Sequence, residues 1–159
     1  MTCLNFLEIV KLLSPFLIAI IVYKVWHNQK GKEVVANLSQ SSIMDLLEEI
    51  SQIMLVTEKI PKTQSILEED LTKFILLTQK SLRSILFVSA CSNDETLQKT
   101  VDEYNSVCGR INIFLDNLER PINLSEFEHS EFCNDLKNEF VKKAEKLIHE
   151  LMPYAVFKK

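Results

Sequence analysis

The sequence predicts an all-α protein: one transmembrane helix at the N-terminus, followed by an antiparallel four-helix bundle on the cytoplasmic side. Three observations lead there. Two glycines (Gly31, Gly109) and four prolines (Pro15, Pro61, Pro121, Pro153) in 159 residues leave little turn chemistry for hairpins. Apolar residues recur at spacings of three and four over four long stretches. The run Leu12–Tyr23 (LLSPFLIAIIVY) carries no charge. A chain of this length fits one domain with an appendage.

The charge-free run alone is too short to cross a bilayer, because 12 helical residues rise only ~18 Å against a hydrocarbon core of ~30 Å. Extended to Leu4–Trp26 the helix reaches ~35 Å, which suffices. The extension takes in Glu8 and Lys11, three apart on one face, where they can pair or reach toward the interface. They form an intramembrane polar pair. Fourteen Leu, Ile, Val or Phe side chains in the stretch, each worth about −0.3 to −0.6 kcal/mol at mid-membrane, offset that pair. A cleaved signal peptide fits poorly. No Lys or Arg precedes Lys11, and the run exits into bulky Tyr23-Lys24-Val25-Trp26.

Orientation follows from charge. Lys24, Lys30 and Lys32 flank the C-terminal end of the span and no basic residue flanks its start, so the positive-inside rule places the N-terminus outside and the bundle in the cytoplasm. Tyr23 and Trp26 suit the interfacial belt. For a bacterial chain the membrane would be the inner one. The four cysteines, Cys3, Cys91, Cys108 and Cys133, lack CxxC spacing and read as unpaired thiols, in keeping with a reducing compartment.

Beyond Gly31 four helices are expected. The first covers Lys32–Lys59 with Ile43, Leu46, Leu47, Ile50, Ile53 and Met54 inward; Gly31 and the polar patch Asn37–Ser42 (NLSQSS) are the candidate linkers, and Pro61 ends it. The second runs from Ser65, where Ser65-x-x-Glu68 makes a capping box, to Cys91, with Leu67, Leu71, Phe74, Ile75, Leu82, Ile85 and Leu86 inward. Ser92 or Asn93 caps the third, which reaches Glu119 on the heptad series Leu97, Val101, Tyr104, Cys108, Ile111, Leu115, Leu118. The fourth starts near Ser125 with Glu128 as capping partner, carries Phe132, Leu136, Phe140, Ala144, Leu147 and Leu151, and stops before Pro153. The organisation is thus a short tail (1–3), the span (4–26), a basic juxtamembrane segment with the helix start (27–42), the bundle (43–153) and a tail (154–159, YAVFKK) that an up-down-up-down order returns toward the bilayer.

Function is less legible. Residues 33–159 hold 21 of the 22 acids and 14 of the 18 bases, so the body is too acidic to bind nucleic acid. Two glycines cannot build a phosphate loop. Glu126-x-x-His129 matches half of a di-iron bundle signature, and the second half is missing. His129 and Cys133 share a face but lack the paired short spacings of a structural zinc site. The sequence therefore points to no metal, no cofactor and no catalytic residue. Glu48-Glu49 and Glu68-Glu69 read as solvated charge pairs. The expected partners are the lipid bilayer and a protein or second copy met through helices. The leading expectation is a non-catalytic, membrane-anchored interaction or sensing module. The alternatives are a small membrane-active effector that oligomerises through its span and, behind it, a metal-dependent bundle enzyme.

Overall fold

A computed structural model describes residues 3–58 and 63–156, with side chains described from residue 16 onward. Among these residues the chain is all-helical: α1 (Cys3–Val56), α2 (Gln64–Ser92), α3 (Glu95–Asp116), the short α4 (Leu124–Glu128), a π-helical turn (Phe132–Leu136) and α5 (Lys137–Ala155). The chain divides into two compact units between Val34 and Val35.

In the first unit every residue from Phe16 to Val34 is exposed. Among its described side chains, local contacts include the Lys30–Glu33 pair at 2.8 Å and an edge-on contact between the Tyr23 and His27 rings. The side chains of Glu8 and Lys11 lie outside the described residues, as do Lys59, Pro61 and the last three residues of the tail.

The second unit is a helical bundle whose pairings can be read from bonds between helices. Along α1 and α2 the partners run in opposite order: Asp45 with Lys80 (2.9 Å), Glu48 with Lys73 (3.7 Å), and the Gln52 amide with the Asp70 carbonyl (3.2 Å). Along α3 and α5 they do so again. Tyr154 donates to Asp94 (2.7 Å), Lys143 and Lys146 hold Glu103 (3.0 and 2.9 Å), and Arg110 pairs with Glu139. Helix α3 lies close along both α5 and α2. Phe74, Tyr104, Phe132 and Phe140 fill the middle, with Phe74 edge-on to Phe140 at 5.2 Å between centroids. Offset and edge-to-face pairs of this kind add to the area they bury.

Several boundaries differ from the sequence reading, each for a physical reason. Helix α1 passes unbroken through Gly31 and Asn37–Ser42. One glycine costs only about 1 kcal/mol in a helix interior. Ser39 and Ser42 are buried, and Ser39 returns its hydroxyl to the Val35 carbonyl (2.8 Å). The patch read as a linker is seam. Capping also shifts. Thr63 precedes α2 with no side-chain cap, and its hydroxyl meets that of Ser65 (3.2 Å), so the Ser65–Glu68 box does not form. Asn93 closes α2 in the left-handed conformation (φ 52°), which Asn tolerates, and leaves Asp94 to cap α3 through Thr96 and Leu97 N–H. Asn123, not Ser125, caps α4. Helix α3 stops at Asp116, before Glu119.

The expected fourth helix is divided into α4, the π turn and α5. Its core residues Phe132, Leu136, Phe140 and Ala144 are spaced by four throughout, a spacing that drifts around an ordinary helix by about 40° per step. A π turn, closed by the bond from Lys137 N–H to the Phe132 carbonyl, carries more residues per turn and cancels part of that drift. All of these residues stay buried. Pro153 lies inside α5 and does not end it. Tyr154 and Ala155, expected in an interfacial tail, are buried, and Gln40 of α1 donates to the Ala155 carbonyl (2.8 Å).

One helix among the described residues, α2, is long and apolar enough to cross a membrane by length and composition alone. Core helices of soluble bundles pass the same test. Eight α2 residues are buried in the bundle, while Lys73, Lys80 and Arg83 are exposed.

Candidate functional site

The buried face of α1 explains where unusual chemistry sits. Of the six residues expected inward, Leu46 and Ile53 are fully buried, Ile43 and Ile50 are partly buried, and Leu47 and Met54 are 49% and 51% exposed. The residues that face the bundle are Ser39, Ser42, Leu46, Glu49, Ile53 and Val56, a series spaced 3-4-3-4-3, with Asp45 and Gln52 beside it. The stripe is therefore rotated from the expected one, and half of it is polar. Helix α2 answers with its own series, Leu67, Leu71, Phe74, Thr78, Ser81, Ile85 and Val88, in which Thr78 and Ser81 are the polar members.

Glu49 is at the centre of this seam and is 0% exposed. The Tyr104 hydroxyl of α3 donates to its Oε2 in a short bond. Ser81 lies beside the carboxyl, but its hydroxyl proton goes to the Thr78 carbonyl (3.2 Å). Glu49 Oε1 therefore receives no hydrogen bond, and the same holds for two other buried atoms one and two turns earlier on the helix, Asp45 Oδ2 and Ser42 Oγ. Asp45 has its other oxygen on Lys80. Loss of water pushes the Glu49 carboxyl up from 4.5 to about 7, with Asp45 and Glu48 adding negative charge nearby; the Tyr104 hydroxyl offsets part of that rise. Burial pushes the Tyr104 hydroxyl well above its ordinary value, and the Cys108 thiol one turn on, to about 12. Tyr104 is thus a fixed donor and Cys108 an inert thiol. The one group in the cluster poised to change charge near neutrality is Glu49.

The sequence reading paired Glu49 with Glu48 as a solvated face, and only Glu48 is exposed. A signal was present. Position 49 falls seven after Ser42, three after Leu46 and four before Ile53, in register with the seam.

The residues singled out as nearest to a metal pattern do not converge. Glu126 accepts from Asn123 Nδ2 (2.8 Å) in the α4 cap, His129 turns Nδ1 to the Ser125 carbonyl (2.8 Å), and Cys133 is half-buried with its thiol pushed up by burial. His129 and Cys133 line a cavity of about 360 Å³ with Thr57, Glu128 and Lys137. No cluster of three or more His, Cys, Asp or Glu able to hold a metal occurs among the described residues. Of the membrane-orienting set, Tyr23, Lys24, Trp26, Lys30 and Lys32 are all exposed, and Lys30 pairs with Glu33.

No family model matches the chain, and no curated protein and no solved structure is significantly similar to it.

Proposed function

We propose that the chain is a membrane-anchored helical module without catalytic activity, held in the bilayer by the helix Leu4–Trp26 and presenting residues 35–156 to a protein partner or a second copy. The observation that carries this reading is the surface of Phe16–Trp26. Nine large apolar side chains there (Phe16, Leu17, Ile18, Ile20, Ile21, Val22, Tyr23, Val25, Trp26) are 51–67% exposed, and they cover every side of the helix. A helix that is apolar all round belongs in a core or a bilayer, and within its own unit this one meets no core. Isolated surface apolar residues need no explanation, but a contiguous band of nine does.

Helix α2 competes for the role of span by composition. What favours the N-terminal segment is that α2 spends its apolar face inside the bundle and bears Lys73, Lys80 and Arg83 on its exposed side. Extracting α2 would strip the bundle of Leu67, Leu71, Phe74, Ile85 and Val88.

The basic residues Lys24, Lys30 and Lys32 favour a cytoplasmic bundle. Two experiments test placement and orientation. The full chain should resist alkaline carbonate extraction from membranes, whereas a chain beginning at Val35 should be released. A reporter active only outside the cytoplasm should be silent when fused after Lys159. Release of the full chain, or retention of the shortened one, would contradict the anchor; a strongly active reporter would reverse the orientation.

A further inference from the structure

The seam of the bundle half of α1 contains three buried oxygens with no hydrogen-bond partner, Ser42 Oγ, Asp45 Oδ2 and Glu49 Oε1. A buried polar atom without a partner costs free energy each time, and more when it is charged. One of the three can change its own needs. A neutral carboxyl is a donor as well as an acceptor, whereas a carboxylate only accepts.

We propose that the Glu49 carboxyl is a proton-operated latch: protonated, it holds the bundle half of α1 against α2 and α3, and ionised, it releases that half into a looser state. In the protonated form Tyr104 O–H donates to Oε2, and Oε1 carries a neutral O–H in place of an uncompensated charge, with Ser81 beside it as the nearest hydroxyl acceptor on α2. In the ionised form Oε1 carries charge with no donor. The groups facing it are then adverse or already engaged. On α1 these are Asp45 and Glu48, both negative; on α2, Ser81 and the Lys80 ammonium, which is held by Asp45 Oδ1; on α3, Tyr104 and the neutral Cys108 thiol. Phe140 of α5 packs on the Tyr104 ring, with centroids 5.7 Å apart, and brings no charge.

The direction of the effect follows from where the proton is held. The carboxyl sits at about 7 when buried and near 4.5 when solvated, so the docked state binds a proton that the open state gives up. Docking is strongest at or below about pH 4.5 and weakens as pH rises to about 7, beyond which the loss levels off.

The test uses the full-length protein in detergent micelles, with amide hydrogen exchange corrected for the intrinsic chemical rate. Between pH 5 and pH 8 protection of residues 35–56 should fall by on the order of tenfold, more than protection of α5. Glu49→Gln, which keeps a donor and an acceptor in place and cannot ionise, should hold α1 protected at both pH values. A wild-type profile that is flat, or a fall of equal size in Glu49→Gln, overturns the latch. If Glu49→Gln does not fold, Tyr104→Phe decides. Removing a donor to the carboxylate should move the midpoint of the wild-type transition to higher pH, and an unmoved midpoint overturns the proposal.

Discussion

Glu48 and Glu49 are adjacent, chemically identical and physically unlike. One is half in water opposite Lys73, and the other is sealed between three helices. Sequence composition does not separate them; only helical register does. Tyr104 shows the complementary case, an aromatic correctly placed on the α3 seam from spacing alone, whose hydroxyl takes on meaning only once Glu49 is found opposite it. Replacing Tyr104 with Phe keeps the ring packing on Phe140 and deletes the donor. The expected cost is about 1–3 kcal/mol in denaturant unfolding, the range for leaving a buried polar atom unpaired. It should be larger at pH 8 than at pH 5, because the bond to an ionised acceptor is the stronger one. Equal losses at the two pH values would mean that Glu49 does not ionise in the folded protein.

At the scale of elements, legibility followed the purity of each seam. Every expected α3 seam residue but Leu118 is buried, as are all six of the fourth stretch, because those positions are apolar and nothing competes for the register. In α1 two apolar stripes lie side by side, and the one that packs is the more polar. Ser39, Ser42 and Glu49 masked it from any count of hydrophobic residues. Helix ends were read less well, since Asn93 and Asp94 are both good caps and only the backbone decides which residue closes α2 and which opens α3. The rotated stripe gives a direct comparison between neighbours. Leu46→Ala, at a fully buried site, should cost about 2–5 kcal/mol, and Leu47→Ala under about 1. The reverse order would mean that the buried stripe centres on Leu47 instead. Between α3 and α5, Lys146 and Lys143 hold the Glu103 carboxyl down to about 2. A carboxyl lowered on folding contributes stability that is present above its unfolded value, about 4.3, and lost as pH falls toward 2. Glu103→Gln should therefore flatten the acid limb of the stability curve below about pH 4 and leave the pH dependence between 5 and 8 in place. An unchanged acid limb would show that the two lysines do not bind this carboxylate in solution.

For the whole molecule, the two units differ in kind: residues 35–156 bury their own core, and Phe16–Trp26 stay exposed within their own unit. We propose that lipid, and not protein, covers that apolar band. Site-directed nitroxides measure it most directly. Single labels at Phe16, Ile20, Ile21 and Val22, which step around all sides of the helix, are placed in the full-length protein reconstituted into vesicles, with a label at Leu47 as the aqueous reference. All four should relax readily with oxygen, which concentrates in the hydrocarbon, and weakly with a water-soluble nickel chelate, while Leu47 does the opposite. A chelate-accessible band, or one with a single face shielded from both reagents, would contradict it: the first would place the segment in water, the second against protein.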